Sequence, residues 1–532
     1  MSLFARQSTS GRRSRKRLVA IVVAGATVVA GGLVGGSLAA AQASAAGSDN
    51  SAERGGLRDV QANLFEWNWP SVAKECRNVL GPAGYGGVQV APPQDSVKRT
   101  SLGNGSDTIL HPWWEVYQPV DYNLTSRMGT EAQFKAMVAT CRQAGVKVYV
   151  DAVVNHMTGQ GNTSYGGVTY SKYSYPGLYG PANFHSYPAN CPVPPAAGST
   201  DREGSIADFN DYTQVFNCEL VGLSDLQTQT DYVRNTLAAY LNKLISYGVS
   251  GFRVDAAKHI GQTDLAAIEA RLNRTVDGTK PSMALEVMPG SPGRIAPAAF
   301  ESVGTLLGFD YADQLQSAFK SYSSPPNDGN IGDLQIFGEG SGLLPSSKEL
   351  VFVENHDTER NGSTLSYKDP NNTIANEFML AWPYGTAQVY ASFAWTTSDD
   401  SPPSDANGLI TDTTCDNITW VCVDRYTGVA NMVGFHNFVG DAPVGNWYDD
   451  GTNLIAFSRG DRGFFSTSNE SAAKTVTVST GLPRGTYCDR IHGAVQAGHC
   501  SGPNVTVDAH GSATITVNGY DAVAFTLEDR VR

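Results

Sequence analysis

The feature that most constrains the fold is a unit of short strand, polar loop and amphipathic helix that recurs along the chain from Asp59. The third strand, at 146–154, is an almost unbroken apolar run, as expected of a parallel strand buried on both faces. This alternation predicts an α/β fold built as a (β/α)8 TIM barrel, with an open, doubly wound sheet as the alternative. Strands are predicted at 60–67, 87–90, 146–154, 251–254, 283–287, 304–309, 350–354 and 386–393, and the clearest helices at 70–80, 130–144 and 228–247.

The alternation is interrupted once and later ends. Residues 155–222 are rich in Gly, Tyr, Ser, Pro and Asn and lack a helical period. They are too many for an ordinary connection, so we expect an irregular inserted domain after strand three. Past residue 440, alternating segments separated by Gly, Asn and Asp predict a C-terminal all-β sandwich domain. The barrel is therefore assigned to 47–154 and 223–439, the insertion to 155–222 and the C-terminal domain to 440–532.

The first 46 residues have the pattern of a signal peptide. A basic stretch between Arg12 and Arg17 precedes a small, apolar, Gly/Ala-rich region, and Ala43-Ser44-Ala45 offers a cleavage site. A membrane anchor is the alternative, which the weak hydrophobicity of this region disfavours. We therefore expect a secreted, extracellular protein. No later apolar run is long enough to span a bilayer, so no membrane association is expected after cleavage.

Charge and cysteine content limit the partners and the compartment. The net charge is −13 over 532 residues, which argues against binding to nucleic acid and to anionic membrane surfaces. All eight cysteines lie after the signal region, and an even number in an exported chain favours disulfides. Pairing in sequence order is the simplest arrangement, although composition leaves the pairing open. We expect the chain to act as a monomer.

Polar residues cluster at the predicted C-terminal ends of the strands. In a barrel these ends form one face, so Asp255, Glu286 and Asp357 from three strands are expected to converge there. Buried carboxylates are costly unless catalysis or a metal requires them, and a metal-only cluster is the alternative. Two carboxylates, one ionised and one protonated, are the minimum for glycoside hydrolysis. The strand-end residues are Asp151, Asn155, His156, Arg253, Asp255, Lys258, His259, Glu286, Glu354, Asn355, His356 and Asp357.

Two of these acids have different neighbours in the sequence. Side chains alternate along a strand, so Arg253 and Asp255 point to the same side. An adjacent arginine favours an ionised aspartate, as a nucleophile requires. Glu286 follows an apolar run and has no cation beside it in sequence, which suits a raised pKa and a proton donor. The alternative for Arg253 and Asp255 is a solvated salt bridge at a strand end.

Four short motifs at these strand ends carry a resemblance to a known family. They read DAVVNH at 151–156, GFRVDAAKH at 251–259, EVM at 286–288 and FVENHD at 352–357. In this order they resemble the motifs of the α-amylases, which are retaining α-glucan glycoside hydrolases. The stretches QANLFEWNW, HPWWEVYQPVDY, LVGLSDL, GFHN and GLPRGTYCD are most similar to animal-type α-amylases, here in a secreted, actinobacterial-like form.

The resemblance implies roles for the three acids. Asp255 would be the nucleophile that forms a glycosyl-enzyme ester, Glu286 the general acid and then base, and Asp357 a third acid that stabilises the oxocarbenium-like state. The implied activity is endo-hydrolysis of internal α-1,4-glucosidic bonds in starch-like polysaccharides with retention of configuration. The alternatives are a maltooligosaccharide-specific hydrolase or glucanotransferase of the same family, and a non-catalytic glucan-binding protein. The implied substrate-binding residues are Trp114, Tyr117, Gln118, His156, Arg253, Lys258, His259 and His356.

The resemblance also implies a structural calcium ion. Calcium takes oxygen ligands from carboxylates, amides and carbonyls. The implied ligands are Asn155, Asp225, and the backbone carbonyls of His259 and Phe216. The alternative is that Asn155 and Asp225 only cap loops.

Chloride is expected not to be required. Chloride-activated relatives use two arginines and an asparagine, of which Arg253 and Asn355 match one arginine and the asparagine. The position of the second arginine is Gln388 in this chain. A neutral amide weakens an anion site, so the resemblance implies catalysis without chloride.

Overall fold

Eight parallel strands form a closed barrel. The computed structural model describes residues 58–103, 108–320 and 330–531, so the predicted signal peptide lies outside the described residues. The strands are β1 (Gln61–Leu64), β2 (Gly87–Val90), β3 (Lys147–Val153), β4 (Gly251–Asp255), β5 (Ser282–Leu285), β6 (Thr305–Leu307), β7 (Glu349–Phe352) and β8 (Thr386–Phe393). Each pairs with the next in sequence order, and β8 pairs back with β1. The predicted TIM barrel is thus confirmed, and the open, doubly wound sheet is wrong.

The strand boundaries follow the local chemistry. The strands at 87–90 and 386–393 coincide with their predictions, and the others differ by one to a few residues. The first strand was expected to reach residue 67 but ends at Leu64. Glu66 adopts a left-handed conformation with φ of 54°, which no strand tolerates, so the chain turns there.

Helices surround the barrel and begin at side-chain caps. Asn68 accepts a hydrogen bond from the Ser71 amide at the start of the first helix, and Thr130 and Gln133 form a capping box at the start of another. The helix predicted over 70–80 is present, but it changes to π-helical hydrogen bonding over Cys76–Leu80. The α-helices are α1 (Trp69–Glu75), α2 (Gly81–Ala83), α3 (Glu131–Gln143), α4 (Tyr212–Asn217), α5 (Asp231–Ser246), α6 (Gln262–Glu269), α7 (Phe309–Phe319), α8 (Thr358–Asn361), α9 (Asn372–Ala381) and α10 (Thr427–Val439).

The segment between β3 and α5 is irregular, as predicted, but it has its own packed interior. Its regular elements are short, and α4 is its longest helix. Tyr173 and Phe184 pack edge to face with ring centroids 5.4 Å apart. The buried Tyr175 hydroxyl accepts a hydrogen bond from the Thr158 amide at 3.0 Å. These contacts form an interior within the insertion itself.

An antiparallel all-β region follows α10, and it confirms the predicted C-terminal domain type. The strands, with β9 beside β8, are β9 (Trp420–Val421), β10 (Val444–Asp449), β11 (Leu454–Arg459), β12 (Gly463–Ser468), β13 (Lys474–Ser479), β14 (Gly485–Cys488), β15 (Val495–Gln496), β16 (His499–Cys500), β17 (Asn504–Val507), β18 (Ser512–Val517) and β19 (Asp521–Thr526). Strands β10, β11, β12 and β19 form the main sheet, and β13–β18, β14–β17 and β15–β16 form pairs. Phe464, Val478, Ile515 and Phe525 belong to one buried core between these strands.

All eight cysteines form disulfides, and they pair in sequence order. The bonds join residues 76 and 141, 191 and 218, 415 and 422, and 488 and 500. The simplest pairing is therefore confirmed. Within the described ranges, no helix is both long and apolar enough to cross a bilayer.

Candidate active site

Arg253 lies at the centre of a buried cluster of carboxylates at the C-terminal ends of β3, β4 and β5. Its Nη1 atom lies 2.7 Å from Asp151 Oδ1 and 2.8 Å from Asp255 Oδ1. Its Nη2 atom lies 2.9 Å from Glu286 Oε1. Because Arg253 is only 2% exposed, a solvated salt bridge is the wrong interpretation. One guanidinium therefore serves three acids, and its positive charge disfavours a metal-only interpretation of them.

The electrostatics of Asp255 differ from the simple pair expected from sequence. Burial raises the pKa of Asp255 well above its ordinary value, and the Arg253 guanidinium opposes this shift. Asp151 shows the same direction with the same principal cause. Three ionised carboxylates around one cation would leave a net charge of about −2 in a poorly solvated site. Burial therefore favours the protonated forms of Asp255 and Asp151, and the Arg253 guanidinium counteracts this effect on the pKa of each acid.

Glu286 is held by the backbone turn that follows Asp255. The Ala256 amide donates to Glu286 Oε2 at 2.7 Å, and the Lys258 amide donates to the Glu286 carbonyl at 3.1 Å. Ala256 adopts a left-handed conformation with φ of 48°. Glu286 has no cation beside it in sequence, but in space it has Arg253. The pairing of β4 with β5 brings the two together.

Asp357 and His356 follow β7 and are held in place by packing. Asn355 Oδ1 accepts hydrogen bonds from the Asp357 amide at 3.0 Å and from the Thr358 amide at 2.9 Å. Burial raises the pKa of Asp357, and Arg253 opposes the shift. The Asp357 side chain keeps 16% exposure, so this acid remains accessible from the cleft.

Aromatic rings fix the His356 imidazole beside these acids. It stacks on Phe65 with centroids 4.7 Å apart and on Tyr117 with centroids 5.2 Å apart. The Tyr117 hydroxyl donates to Asp151 Oδ2 at 2.8 Å. The Tyr117 carbonyl lies 3.0 Å from His156 Nε2. The Asn155 side-chain nitrogen lies 3.4 Å from His156 Nδ1. Burial lowers the pKa of His156 to about 4, so a neutral ring suits its environment.

Two other predicted substrate residues lie in the loop after β2. Gln118 Oε1 accepts a hydrogen bond from the Gly159 amide at 3.1 Å, which joins this loop to the insertion. Trp114 is half-buried, with the Arg99 guanidinium 5.3 Å from its ring centroid. The same loop carries Tyr117, whose contact with Asp151 places an aromatic ring beside the acids.

Lys258 contacts the loop after β5, and His259 contacts the insertion. Lys258 Nζ donates to the Met288 carbonyl at 3.0 Å and to Ser291 Oγ at 2.7 Å. Ser291 Oγ in turn donates to the Phe209 carbonyl at 2.9 Å. His259 Nδ1 lies 3.1 Å from the Val215 carbonyl. Sequence reasoning missed Ser291 and Phe209, because neither belongs to a strand-end motif.

The predicted calcium ligands lie where the insertion meets the barrel. The Asn155 amide hydrogen-bonds the Asp225 carboxylate, and the Leu226 amide donates to the Asn155 carbonyl at 3.1 Å. The Phe216 ring lies beside Gly261, two residues after His259. The set consists of oxygen donors, as calcium prefers.

Further chemistry beside Asp225 supports a cation here. His185, Glu203 and Asp225 are buried, and their ligand atoms lie within 4.8 Å of one another. Burial raises the pKa of Glu203 to about 10 and that of Asp225 to about 6. Within the described part of the chain, both carboxylate oxygens of Glu203 lack a hydrogen-bond partner of normal geometry. A buried carboxylate without hydrogen-bond donors is costly unless a cation binds it, so the residues present suit a calcium ion. Sequence reasoning missed His185 and Glu203, which lie in the aperiodic insertion.

Gln388 is part of a neutral layer within the barrel. Its Nε2 atom donates to Gln89 Oε1 at 3.0 Å and lies 3.4 Å from Gln61 Oε1. The three amides come from β8, β2 and β1. The Gln388 side chain therefore uses its hydrogen-bonding groups on neighbouring amides.

Comparisons with known proteins agree with this architecture. The family description "Alpha amylase, catalytic domain" matches residues 113–283, and "Alpha amylase, C-terminal all-beta domain" matches residues 446–528. An α-amylase of Thermomonospora curvata is 42% identical over 495 residues, which cover 91% of this chain and 76% of that protein. A pancreatic α-amylase of Sus scrofa is 38% identical over 487 residues, which cover 86% of this chain and 91% of that protein.

Solved structures give the same result. The crystal structure of α-amylase I from Eisenia fetida superimposes with a TM-score of 0.80 at 36% identity, covering 88% of this chain and 97% of that one. A mutant of the same enzyme, described as a complex with maltohexaose, superimposes with a TM-score of 0.79. With relatives above 30% identity over most of both chains, this chain belongs to the α-amylase family of glycoside hydrolases.

Proposed function

We propose that the protein is an endo-acting α-amylase that hydrolyses internal α-1,4-glucosidic bonds of starch-like polysaccharides with retention of configuration. The observation that carries the proposal is the single Arg253 guanidinium bound to both Asp255 and Glu286. Retaining glycosidases need two carboxyl groups about 5–5.5 Å apart. Because both acids contact the same guanidinium, they lie close together, and one can act as the nucleophile while the other donates a proton.

In the proposed mechanism, Glu286 gives its proton to the glycosidic oxygen while a carboxylate oxygen of Asp255 attacks the anomeric carbon. The bond to the leaving saccharide breaks and an ester to Asp255 forms. Glu286, now a carboxylate, takes a proton from water, whose oxygen attacks the same carbon and releases Asp255. Asp357 stabilises the positive charge that develops on the sugar ring in both steps.

The remaining cleft residues are proposed to bind the glucan. Neutral His156 and the stacked His356 would hydrogen-bond the glucosyl unit that is cleaved. Arg253 would support the charge of Asp255. The aromatic surface after β2 suits stacking against sugar faces. The proposed substrate-binding set is Trp114, Tyr117, Gln118, His156, Arg253, Lys258, His259 and His356.

Calcium is proposed as a structural ion held by Asn155, Asp225 and the carbonyls of His259 and Phe216. When bound, it would supply a cross-link between the insertion and the barrel. Chloride is proposed to be unnecessary, because a glutamine amide at position 388 adds no positive charge.

Cleavage of a signal peptide at 1–46 and secretion as a monomer are proposed as well, and the four disulfides suit an oxidising compartment. The domain limits 47–154 with 223–439, 155–222 and 440–532 are proposed with them.

The test is a time course of product lengths from soluble starch, with the anomeric form of new ends followed by NMR. The wild-type chain should release a range of short oligosaccharides whose new ends are first α. Glu286→Gln should lower kcat by about 10²–10⁴-fold, because the general acid is lost. Glu269→Gln, a half-buried glutamate on α6, is the matched control and should leave kcat unchanged.

Three outcomes would contradict the proposal. Unchanged starch cleavage by Glu286→Gln would remove Glu286 from the chemistry. New ends that are first β would exclude retention. Products longer than an oligosaccharide substrate, formed as the main products, would favour a transferase.

A further inference from the structure

Glu203 is a buried acid that forms no ion pair with any described residue, because the nearby Lys172 binds Glu219 instead. It is 1% exposed, and neither carboxylate oxygen has a hydrogen-bond partner of normal geometry. The nearby Glu219 is equally buried but accepts from Lys172 Nζ at 3.0 Å and from the Tyr173 hydroxyl. The insertion therefore satisfies one of its two buried glutamates and leaves the other unsatisfied. An unpaired buried carboxylate is too costly to be a packing residue.

The unsatisfied carboxylate is directed at Asp225. Ligand atoms of Glu203, Asp225 and His185 lie within 4.8 Å of one another, and all three residues are buried. The distance suits two carboxylates that flank one cation. Two acids that approach this closely without a cation repel each other.

His185 orients Asp225 and is itself unavailable as a ligand. Its Nδ1 atom lies 2.6 Å from Asp225 Oδ2, and its Nε2 atom lies 2.8 Å from Gln229 Oε1. Gln229 is oriented in turn, because its amide nitrogen donates to Asn217 Oδ1 at 3.0 Å. Both ring nitrogens are thus engaged. A histidine that fixes a ligating carboxylate is a common outer partner of metal sites.

We propose that Glu203 provides a second carboxylate ligand to the calcium ion held at Asp225, and that His185 positions Asp225 for it. This inference rests on the calcium site of the proposed function and adds a ligand from the insertion. Calcium accepts six to eight oxygens, and its affinity rises with the number of charged ligands. Glu203 would therefore tie the middle of the insertion to the barrel through the ion.

The test measures calcium binding and stability separately on the full chain. After removal of metal with a chelator, calcium is titrated by calorimetry into wild type, Glu203→Gln and Glu203→Asp. We expect Glu203→Gln to bind on the order of tenfold more weakly or worse. Glu203→Asp keeps the charge on a shorter side chain and should fall between the two.

Thermal unfolding in chelator and in saturating calcium distinguishes a ligand from a packing residue. In chelator, Glu203→Gln should unfold at or above the wild-type temperature, because the replaced carboxyl group has no hydrogen-bond partner of normal geometry among the described residues. In calcium its Tm should rise less than that of the wild type. Glu219→Gln is the matched control, and its Tm should fall by the same amount in both conditions.

A wild-type dissociation constant in Glu203→Gln would overturn the assignment of Glu203 as a ligand. So would a Tm lowered equally in chelator and in calcium, which is the behaviour of a packing residue. A wild-type chain that binds no calcium would instead contradict the calcium site of the proposed function. The two failures are therefore distinguishable.

Discussion

At the scale of single residues, Ser291 shows how a side chain outside every motif can shape the cleft. Its hydroxyl accepts from Lys258 and donates to the Phe209 carbonyl. It therefore joins the loop after β5 to the insertion and fixes the Lys258 ammonium, which in the proposed function faces the leaving part of the glucan. Ser291 acts through these neighbours as a positioning residue.

Ser291→Ala should raise KM for long maltooligosaccharides about three- to tenfold while kcat stays within about twofold of wild type. The reason is that the charge-assisted hydrogen bond from Lys258 and the neutral one to the Phe209 carbonyl are lost, while Lys258 keeps its hydrogen bond to the Met288 carbonyl. Steady-state kinetics on maltoheptaose check this, and Ser291→Thr should restore KM.

The matched control is Ser246→Ala. Ser246 is an exposed serine whose hydroxyl also donates to a carbonyl, that of Lys243. A fall in kcat at unchanged KM in Ser291→Ala would contradict a positioning role.

Sequence predicted the identities of the strand-end acids but not their contacts. Asp255 and Glu286 were recognised because each follows an apolar strand. The contact of Glu286 with Arg253 depends on the register of β4 against β5, which no local pattern encodes. Glu203 was missed for a different reason, since it lies in a segment without periodicity and becomes significant only beside Asp225.

At the scale of elements, the close approach of β4 and β5 sets the geometry of the site. Gly251 opens β4 opposite Ser282 of β5, and Val254 lies opposite Leu285, the residue before Glu286. A Cβ atom at position 251 would lie 2.5 Å from the Ser282 carbonyl oxygen. Only a glycine allows the two strands to pair at this point.

Gly251→Ala should destabilise the protein by about 1–3 kcal/mol through overpacking, and should also lower kcat because β5 carries Glu286. Chemical denaturation and starch kinetics measure the two effects. Gly180→Ala is the control, because Gly180 has an ordinary φ of −119° and no atom within 4 Å of the added methyl group. A wild-type kcat in Gly251→Ala would contradict this prediction, because catalysis would then tolerate a wider separation of β4 and β5.

The elements themselves were largely predictable, and the exceptions have physical causes. Long apolar strands and capped helices carry their own signal, so the barrel could be predicted from sequence. The strands β10 and β14 to β17 were not predicted. Those from β14 to β17 have two to four residues, too few to show alternation, and β10 has an irregular register between Gly445 and Tyr448. The packed interior of the insertion was missed because its tyrosines lack any regular spacing.

At the scale of the whole molecule, a buried acid lies where the barrel meets the C-terminal domain. Glu377 of α9 is buried, with Oε2 unpartnered, and its charged neighbours are Asp521, His492 and Asp489. His492 Nδ1 lies 2.6 Å from Asp489 Oδ2, and Nε2 lies 3.1 Å from Asp521 Oδ2. Burial raises the pKa of Glu377 to about 8. The Asp489 hydrogen bond raises the pKa of His492 to about 9.

Both shifts favour the protonated form in the folded state, so both predict stability that is lost as pH rises. The contribution of Glu377 to the free energy of unfolding is complete below its unfolded pKa of about 4.5 and is lost as the pH rises through its folded pKa of about 8. That of His492 is complete below about 6.5 and is lost by about pH 9, and partial exposure of its ring makes it the smaller effect. We expect Tm to fall between pH 5 and 9.

Glu377→Gln should flatten this decline, because a neutral amide has no proton to lose. Thermal unfolding of the wild type and the variant across that pH range checks the prediction. Parallel Tm curves for the two proteins would show that Glu377 does not control the interface. Glu269→Gln, far from the interface in sequence and half-buried on α6, serves as the control.

The left-handed turn at Ala256 has a consequence for how the enzyme responds to motion. The residue after Asp255 donates its backbone amide to Glu286, so the groups proposed to attack and to protonate are joined by main chain as well as by Arg253. Loops of the insertion can then loosen or tighten their hold on a glucan while the spacing of these two groups stays constant. We therefore expect warming or a cosolvent that softens those loops to change how long a glucan stays bound more than it changes the rate of the bond-breaking step.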